Sequence, residues 1–235
     1  KKRGIIVCNV PDYGSHVIAE HVFALLLSGL RHIEEGDNRT ERYKKFIFSG
    51  LRGMALKGKT LGIVGTGKIG KNVARIASLG FLMNVIACDP YPDENAAMEN
   101  HFKYVNFRKI LKESDIISLH CPLLETTKHL INKKNISLMK NGVVIVNTSR
   151  GDVIKTEDLV KAIKSKKIAY AFLDVLEHEN NLKSNKELID LPNVITTPHI
   201  AFYADDSMKK MYTDSFSIIK SFLNKKEIKN QIKGL

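Results

Sequence analysis

Short, continuous apolar runs separated by stretches of helical spacing dominate the chain from residue 60 onward. The runs are Leu61–Val64, Val85–Asp89, Asp115–His120, Val143–Asn147, Ile168–Asp174 and Asn193–Thr196. Between them lie Val73, Ala74, Ile76 and Ala77 at helical spacing with Gly80 as a C′ glycine, then a short helix over Asn106–Glu113. Another helix is predicted over Asn135–Lys140, stopped by Asn141-Gly142, and one over Glu157–Lys166 with Thr156 as its cap. Strands alternating with helices in this way predict an α/β fold, a parallel doubly wound sheet. A long amphipathic helix, Tyr203–Leu223, is expected to close the fold ahead of a polar, lysine-rich tail.

The first quarter reads differently. Gly4–Val10 is a short apolar strand running into Pro11, and Ser15 is the expected N-cap of a helix reaching about Ile33. Val17, Ile18, Val22, Phe23, Leu25, Leu26 and Leu27 cover more than one face of that helix. A helix apolar nearly all round is buried on several sides, at a domain junction or a subunit contact. A charged stretch, Glu34–Lys45, and a glycine-punctuated connection, Phe46–Lys57, follow, together too long for a simple turn.

The pattern pivots on Lys59-Thr60-Leu61-Gly62-Ile63-Val64-Gly65-Thr66-Gly67-Lys68-Ile69-Gly70. Gly65, Gly67 and Gly70 stand at G-x-G-x-x-G spacing between a predicted strand and a predicted helix. The first glycine allows the sharp turn, the second lets backbone approach a pyrophosphate, and the third packs helix on sheet. The helix start directs N–H groups and a positive dipole end at the phosphates. Asp89 ends the next strand, about 20 residues on, where a carboxylate accepts from ribose hydroxyls and disfavours a 2′-phosphate. The reading is an NAD site.

Composition changes this picture little. With 235 residues and 43% hydrophobic content the chain can bury a large core. No apolar run is long enough to span a bilayer, so no membrane partner is expected. The net charge of +12 comes from scattered lysines without interleaved aromatics, which argues against nucleic acid and leaves only some steering of anions. Cys8, Cys88 and Cys121 are odd in number and far apart; they point to a reducing, cytoplasmic compartment and to neither disulfides nor a metal site.

Four linked motifs carry a family resemblance. They are the glycine turn, Asn147-Thr148-Ser149-Arg150-Gly151-Asp152, Asp174-Val175-Leu176-Glu177-His178-Glu179 and Thr197-Pro198-His199-Ile200-Ala201. In order and rough spacing, from about Asn9 to the last helix, they resemble the D-isomer-specific 2-hydroxyacid dehydrogenases. Three ionisable residues stand after three predicted strands, but the resemblance and not the spacing singles them out. It implies that Arg150 binds the substrate carboxylate and carbonyl, that His199 is the acid/base, and that Glu179, not Glu177, is its partner. Chemically, a guanidinium fork suits a carboxylate, an imidazole can exchange the C2 hydroxyl proton, and a carboxylate on the other ring nitrogen fixes the tautomer. The resemblance adds Thr66, Lys68, Ile69, Cys121, Pro122, Thr127, Thr148, Ser149, Asp174 and His199 to the cofactor contacts.

Ala201-Phe202-Tyr203 is similar to the D-lactate dehydrogenase branch, and Phe202 near the pocket would favour a small pyruvate-like 2-oxo acid. The usual proline after the glutamate is Asn180 here, which leans the same way. A phosphoglycerate or glyoxylate/hydroxypyruvate reductase is the alternative enzyme, and an NAD-sensing corepressor-like protein the alternative of another class. The resemblance implies a homodimer through the helix after Ser15 and the connection to Lys57. It divides the chain into residues 1–15 from a flavodoxin-like substrate domain, 16–202 as the dinucleotide domain and 203–235 returning to the substrate domain. Because the chain opens on Lys1-Lys2-Arg3 without Met, a missing N-terminal part is expected, and with it weak turnover or none by the chain alone.

Overall fold

A computed structural model describes residues 5–232; Gly4 of the expected first strand, residues 1–3 and residues 233–235 lie outside the described residues. Helix α1 spans Ser15–Leu30 and buries Val17, Ala19, Val22, Phe23, Leu25, Leu26, Gly29 and Leu30. Ser15 is its first helical residue and not its cap. The Ser15 hydroxyl is drawn outward to Asp12, donating to Oδ1 at 2.8 Å, and Gly14 occupies the cap position. His32, at φ +53°, breaks the helix short of Ile33. The charged stretch then forms a second helix, α2 (Ile33–Glu41), which buries no residue and so leaves no apolar periodicity to read.

From residue 60 the strands and helices alternate as β1 (Thr60–Val64), α3 (Lys68–Arg75), β2 (Asn84–Cys88), α4 (Glu94–Glu99), β3 (Phe102–Tyr104), α5 (Phe107–Glu113) and β4 (Ile116–Leu119). They continue as α6 (Lys133–Ser137), β5 (Val143–Asn147), α7 (Thr156–Lys164), β6 (Ile168–Leu173), α8 (Lys186–Ile189), β7 (Val194–Thr196) and α9 (Asp205–Leu223). The seven strands form one parallel sheet in the order β3-β2-β1-β4-β5-β6-β7. This is the doubly wound arrangement that the alternation predicted. Every strand of its centre is apolar on both faces. Ile117, Val143, Ile145 and Leu173 belong to one core, while Ile116, Val144, Val146 and Phe172 belong to the other, against α1 and α3.

Several expected boundaries move for local reasons. Helix α3 runs on through a π turn, Ile76–Gly80, and the left-handed residue that ends it is Leu82 (φ +52°), not Gly80. The Asn132 side chain caps α6 by accepting from Asn135 N–H, so that helix starts before Asn135. Thr156 is the first residue of α7, not its cap; its N–H is taken by Glu177 Oε2 at 2.9 Å.

The two ends depart further. The anticipated N-terminal strand is reduced to one antiparallel bridge, Cys8 with Gln231, because only the short tail lies beside it. Helix α9 does not close the fold. It buries only Ser207, enters neither core, and exposes Tyr212, Phe216, Ile219, Phe222 and Leu223. Among the described residues no helix is long and apolar enough to cross a membrane.

Candidate active site

Strand register builds the site. Val64 is level with both Cys88 and Leu119, Leu119 with Asn147, Asn147 with Leu173, and Leu173 with Thr196. The residues that follow, Gly65, Asp89, His120, Thr148, Asp174 and Thr197, therefore leave the sheet along one carboxyl rim. Strand order reverses between β1 and β4, where such sheets open a crevice for ligands. A cleft of ≈ 750 Å³ lies here, and Gly67, Lys68, Ile69, Cys121, Pro122, Thr148, Ser149, Arg150, Asp174, His199 and Phe202 line it.

A dinucleotide fits the turn at the base of this cleft. Gly65 sits at φ +93°, a conformation that L side chains rarely adopt. A Cβ on Gly70 would lie 2.1 Å from Gly65 O, so helix and strand can meet this closely only at glycine, whereas a Cβ on Gly67 would face open space. No side chain caps the start of α3, which leaves its first N–H groups for an anion. Thr148 Oγ1 is buried in the cleft wall with no hydrogen-bond partner.

Asp89, Thr66 and Thr127 lie outside the residues that line the cleft. Asp89 Oδ2 accepts from Thr66 N–H at 2.6 Å and Oδ1 from Tyr91 N–H at 2.8 Å, which holds the glycine turn against β2. The Thr66 hydroxyl meets Tyr104 at 2.7 Å, and Thr127 Oγ1 donates to Pro122 O at 2.6 Å, so both hydroxyls serve their own loops. Lys68 reaches across to Asp12 Oδ2 at 2.7 Å, and that ammonium holds the Asp12 carboxyl below the usual range.

His199 and Glu179 come together, Nδ1 to Oε2 at 3.2 Å. Glu177, two residues earlier, turns away to His129 Nε2 at 2.7 Å and to Thr156 N–H. Asp152 brings its carboxylate within 4.8 Å of that pair, but both Glu177 oxygens are already engaged. His199 sits at φ +55°, and its N–H donates to Asp174 O at 2.9 Å. Arg150 lines the same cleft and is exposed, with Nη1 donating to Ser149 O at 2.7 Å. Phe202 stands edge-on to His199, ring centroids 6.3 Å apart, and edge-on to Tyr13 at 6.1 Å.

Sequence reasoning gave no role of their own at this site to Asn147, Tyr13 or His21. The Asn147 side chain is buried and shapes the turn behind Arg150: Nδ2 donates to Arg150 O at 2.9 Å, and Oδ1 accepts from Ser149 N–H at 3.0 Å. A polar residue ending a wholly apolar strand was its available signal. Nothing in the pattern marked Tyr13. Cys88 and Cys121 are free, and burial pushes their thiols up to about 12 and about 11, so they stay protonated and unreactive.

Burial pushes His120 down to about 4, its Nδ1 lying buried without a partner. The unfolded chain therefore binds more protons between about 6.5 and 4, and His120 stabilises the fold fully only above that range. From about pH 7 to about pH 5 urea unfolding should show a loss of about 1–2 kcal/mol from this residue, absent in His120→Gln. Equal losses in the two proteins would contradict it.

The statistical model of a family described as "D-isomer specific 2-hydroxyacid dehydrogenase, NAD binding domain" matches residues 23–201. A D-lactate dehydrogenase of Escherichia coli (strain K12) is 40% identical over 220 residues, covering 88% of this chain and 66% of that protein. A glyoxylate reductase of Thermococcus litoralis is 43% identical over 216 residues, 89% of this chain and 64% of the relative. A crystal structure of D-lactate dehydrogenase from Aquifex aeolicus, complexed with NAD and lactic acid, superposes with a TM-score of 0.88 at 35% identity, covering 100% of this chain and 75% of that one. The chain thus spans about two thirds of the length of these curated relatives.

Proposed function

The chain belongs to the D-isomer-specific 2-hydroxyacid dehydrogenase family, and we propose that the protein is an NAD-dependent oxidoreductase acting on a small D-2-hydroxy acid and its 2-oxo acid, of the D-lactate/pyruvate kind. The observation that carries this reading is the 3.2 Å His199–Glu179 pair on a cleft shared with Arg150 and the glycine turn. Bound NADH supplies the hydride for C2. Arg150 holds the substrate carboxylate through paired N–H donors, which presents the carbonyl toward the middle of the cleft. His199 gives its Nε2 proton to the carbonyl oxygen in reduction and takes it back in oxidation. Glu179 accepts from Nδ1–H, so that Nε2 faces the substrate. Gly67, Lys68, Ile69 and the buried Thr148 hydroxyl would contact the cofactor, with Asp89 on the adenosine side.

Phe202 favours the smaller acids, since its ring, edge-on to His199 and Tyr13, takes up volume that a longer substrate tail would need. The similarity to a glyoxylate reductase keeps that branch as the second reading. A homodimer fits the exposure of Phe46 at 96% and Phe48 at 90%, next to exposed Tyr43 and Ile47. Residues 1–15 and 203–235 would belong to a second, substrate-binding domain, consistent with the apolar face that α9 exposes. Three free cysteines suit a cytoplasmic protein.

A substrate screen on the full-length gene product tests the reading. NADH oxidation is followed with pyruvate, 2-oxobutyrate, glyoxylate, hydroxypyruvate and phosphohydroxypyruvate. Pyruvate or 2-oxobutyrate should give the highest kcat/KM. Preference for hydroxypyruvate or the phosphorylated acid would refute the Phe202 argument, and NADH binding without turnover of any acid would refute the enzymatic reading.

A further inference from the structure

Asp174 carries a fully buried carboxylate at the carboxyl end of β6, directly beneath His199. A buried charge needs partners, and this one has them. Oδ1 accepts from Thr197 Oγ1 at 2.5 Å and from Ile200 N–H at 2.9 Å, and Oδ2 accepts from Ala201 N–H at 2.9 Å. The main-chain carbonyl of the same residue accepts from His199 N–H. Asp174 therefore grips His199 and the two residues after it, and it keeps a non-glycine residue at φ +55°, a conformation that persists only where its surroundings impose it.

The grip extends into α1. His21 Nε2 lies 3.2 Å from Thr197 Oγ1 and 3.6 Å from Asp174 Oδ1. The single hydroxyl proton of Thr197 is given to Asp174, so its oxygen must accept from His21, and Nε2 is the protonated ring nitrogen. Burial, outweighing the opposite pull of Asp174, holds His21 below the ordinary histidine range, so one N–H is what it offers at neutral pH. The donors run in one direction: His21 to Thr197, Thr197 to Asp174.

We infer that His21 is a positioning residue, which acts through Thr197 and Asp174 to hold the His199 backbone where its ring meets both Glu179 and the cleft. Helix α1 thereby sets the geometry of the proton-transfer group from the far side of the sheet rim. The inference deepens the role proposed above for His199 and rests on it. Without the His21 N–H, the Thr197 hydroxyl is free to turn from Asp174, and the 199–201 segment loses its fixed anchor.

Two readouts on the full-length gene product test this, one of them independent of turnover. In 15N-histidine-labelled protein the His199 Nδ1 resonance reports its hydrogen bond to Glu179. His21→Ala should move that resonance and lower kcat by about ten- to a hundredfold, with KM and NADH affinity within about threefold. His21→Gln, which keeps an N–H at the place of Nε2, should recover most of both. If His21→Ala fails to fold, Thr197→Val breaks the same relay one link on and should move the resonance and kcat alike. An unmoved His199 resonance with unchanged kcat in a folded variant overturns the inference. If the unaltered protein reduces no 2-oxo acid, the functional reading fails, while the resonance still decides whether His21 positions His199.

Discussion

His199→Ala is expected to lower kcat for 2-oxo acid reduction by about three orders of magnitude while NADH affinity stays within about threefold. The separation follows from geometry. The groups proposed to hold the cofactor are the glycine turn, the start of α3 and Thr148, whereas the imidazole pairs with Glu179 at 3.2 Å. Removing the ring takes away the proton proposed for reduction but none of the groups proposed to face the phosphates. The backbone N–H of residue 199 keeps its bond to Asp174 O, so thermal stability should change little. Stopped-flow transients with NADH and excess oxo acid, beside fluorescence titration of NADH, check both halves. A variant that turned over at a tenth of the normal rate would remove His199 from the chemistry.

Arg150→Gln should cost about a thousandfold in kcat/KM, because a desolvated carboxylate left without its charged partner loses roughly 2–5 kcal/mol. Arg150→Lys should recover only a minor part, since an ammonium keeps the charge but not the planar fork. Neither change should destabilise the fold: the side chain is exposed, and its hydrogen bond within the chain goes to the neighbouring Ser149 carbonyl. Steady-state kinetics with the preferred acid, alongside thermal melts, measure this. Near-normal kcat/KM in Arg150→Gln, or equal rescue by lysine and by the native residue, would contradict the assigned role.

How much of this was legible beforehand depended on burial. The central strands were readable because a parallel sheet covered on both sides leaves continuous apolar runs, as in Val143–Val146. Helix α2 was invisible because it buries nothing, and β3 because Phe102-Lys103-Tyr104, at the edge of the sheet, makes no apolar run. Helix α9 misled in the opposite sense. Its apolar spacing is real, yet in the described chain that face meets no core.

The site divided along the same line. Register and strand ends brought Gly65, Asp89, Thr148 and Asp174 to one rim, which strand alternation alone could foresee. Choosing Glu179 over Glu177 took the family resemblance, because a spacing of two residues does not say which carboxylate turns toward His199 and which toward His129. His21 and Asn147 were given no role of their own, although Asn147 ends a wholly apolar strand with a fully buried polar side chain and His21 is largely buried on α1. The partners of His21, Thr197 and Asp174, lie far along the chain and are supplied only by the fold, whereas Asn147 bonds Ser149 and Arg150 in the turn that follows it.

One measurement bears on the central claim most directly. The full-length gene product is given pyruvate and NADH deuterated at the transferable C4 position, and the 2-hydroxy acid formed is resolved on a chiral column and weighed by mass spectrometry. D-lactate carrying deuterium at C2 is the predicted result, with hydride arriving from the cofactor and the hydroxyl proton from His199. L-lactate, D-lactate without the label, or no lactate at all would contradict the account.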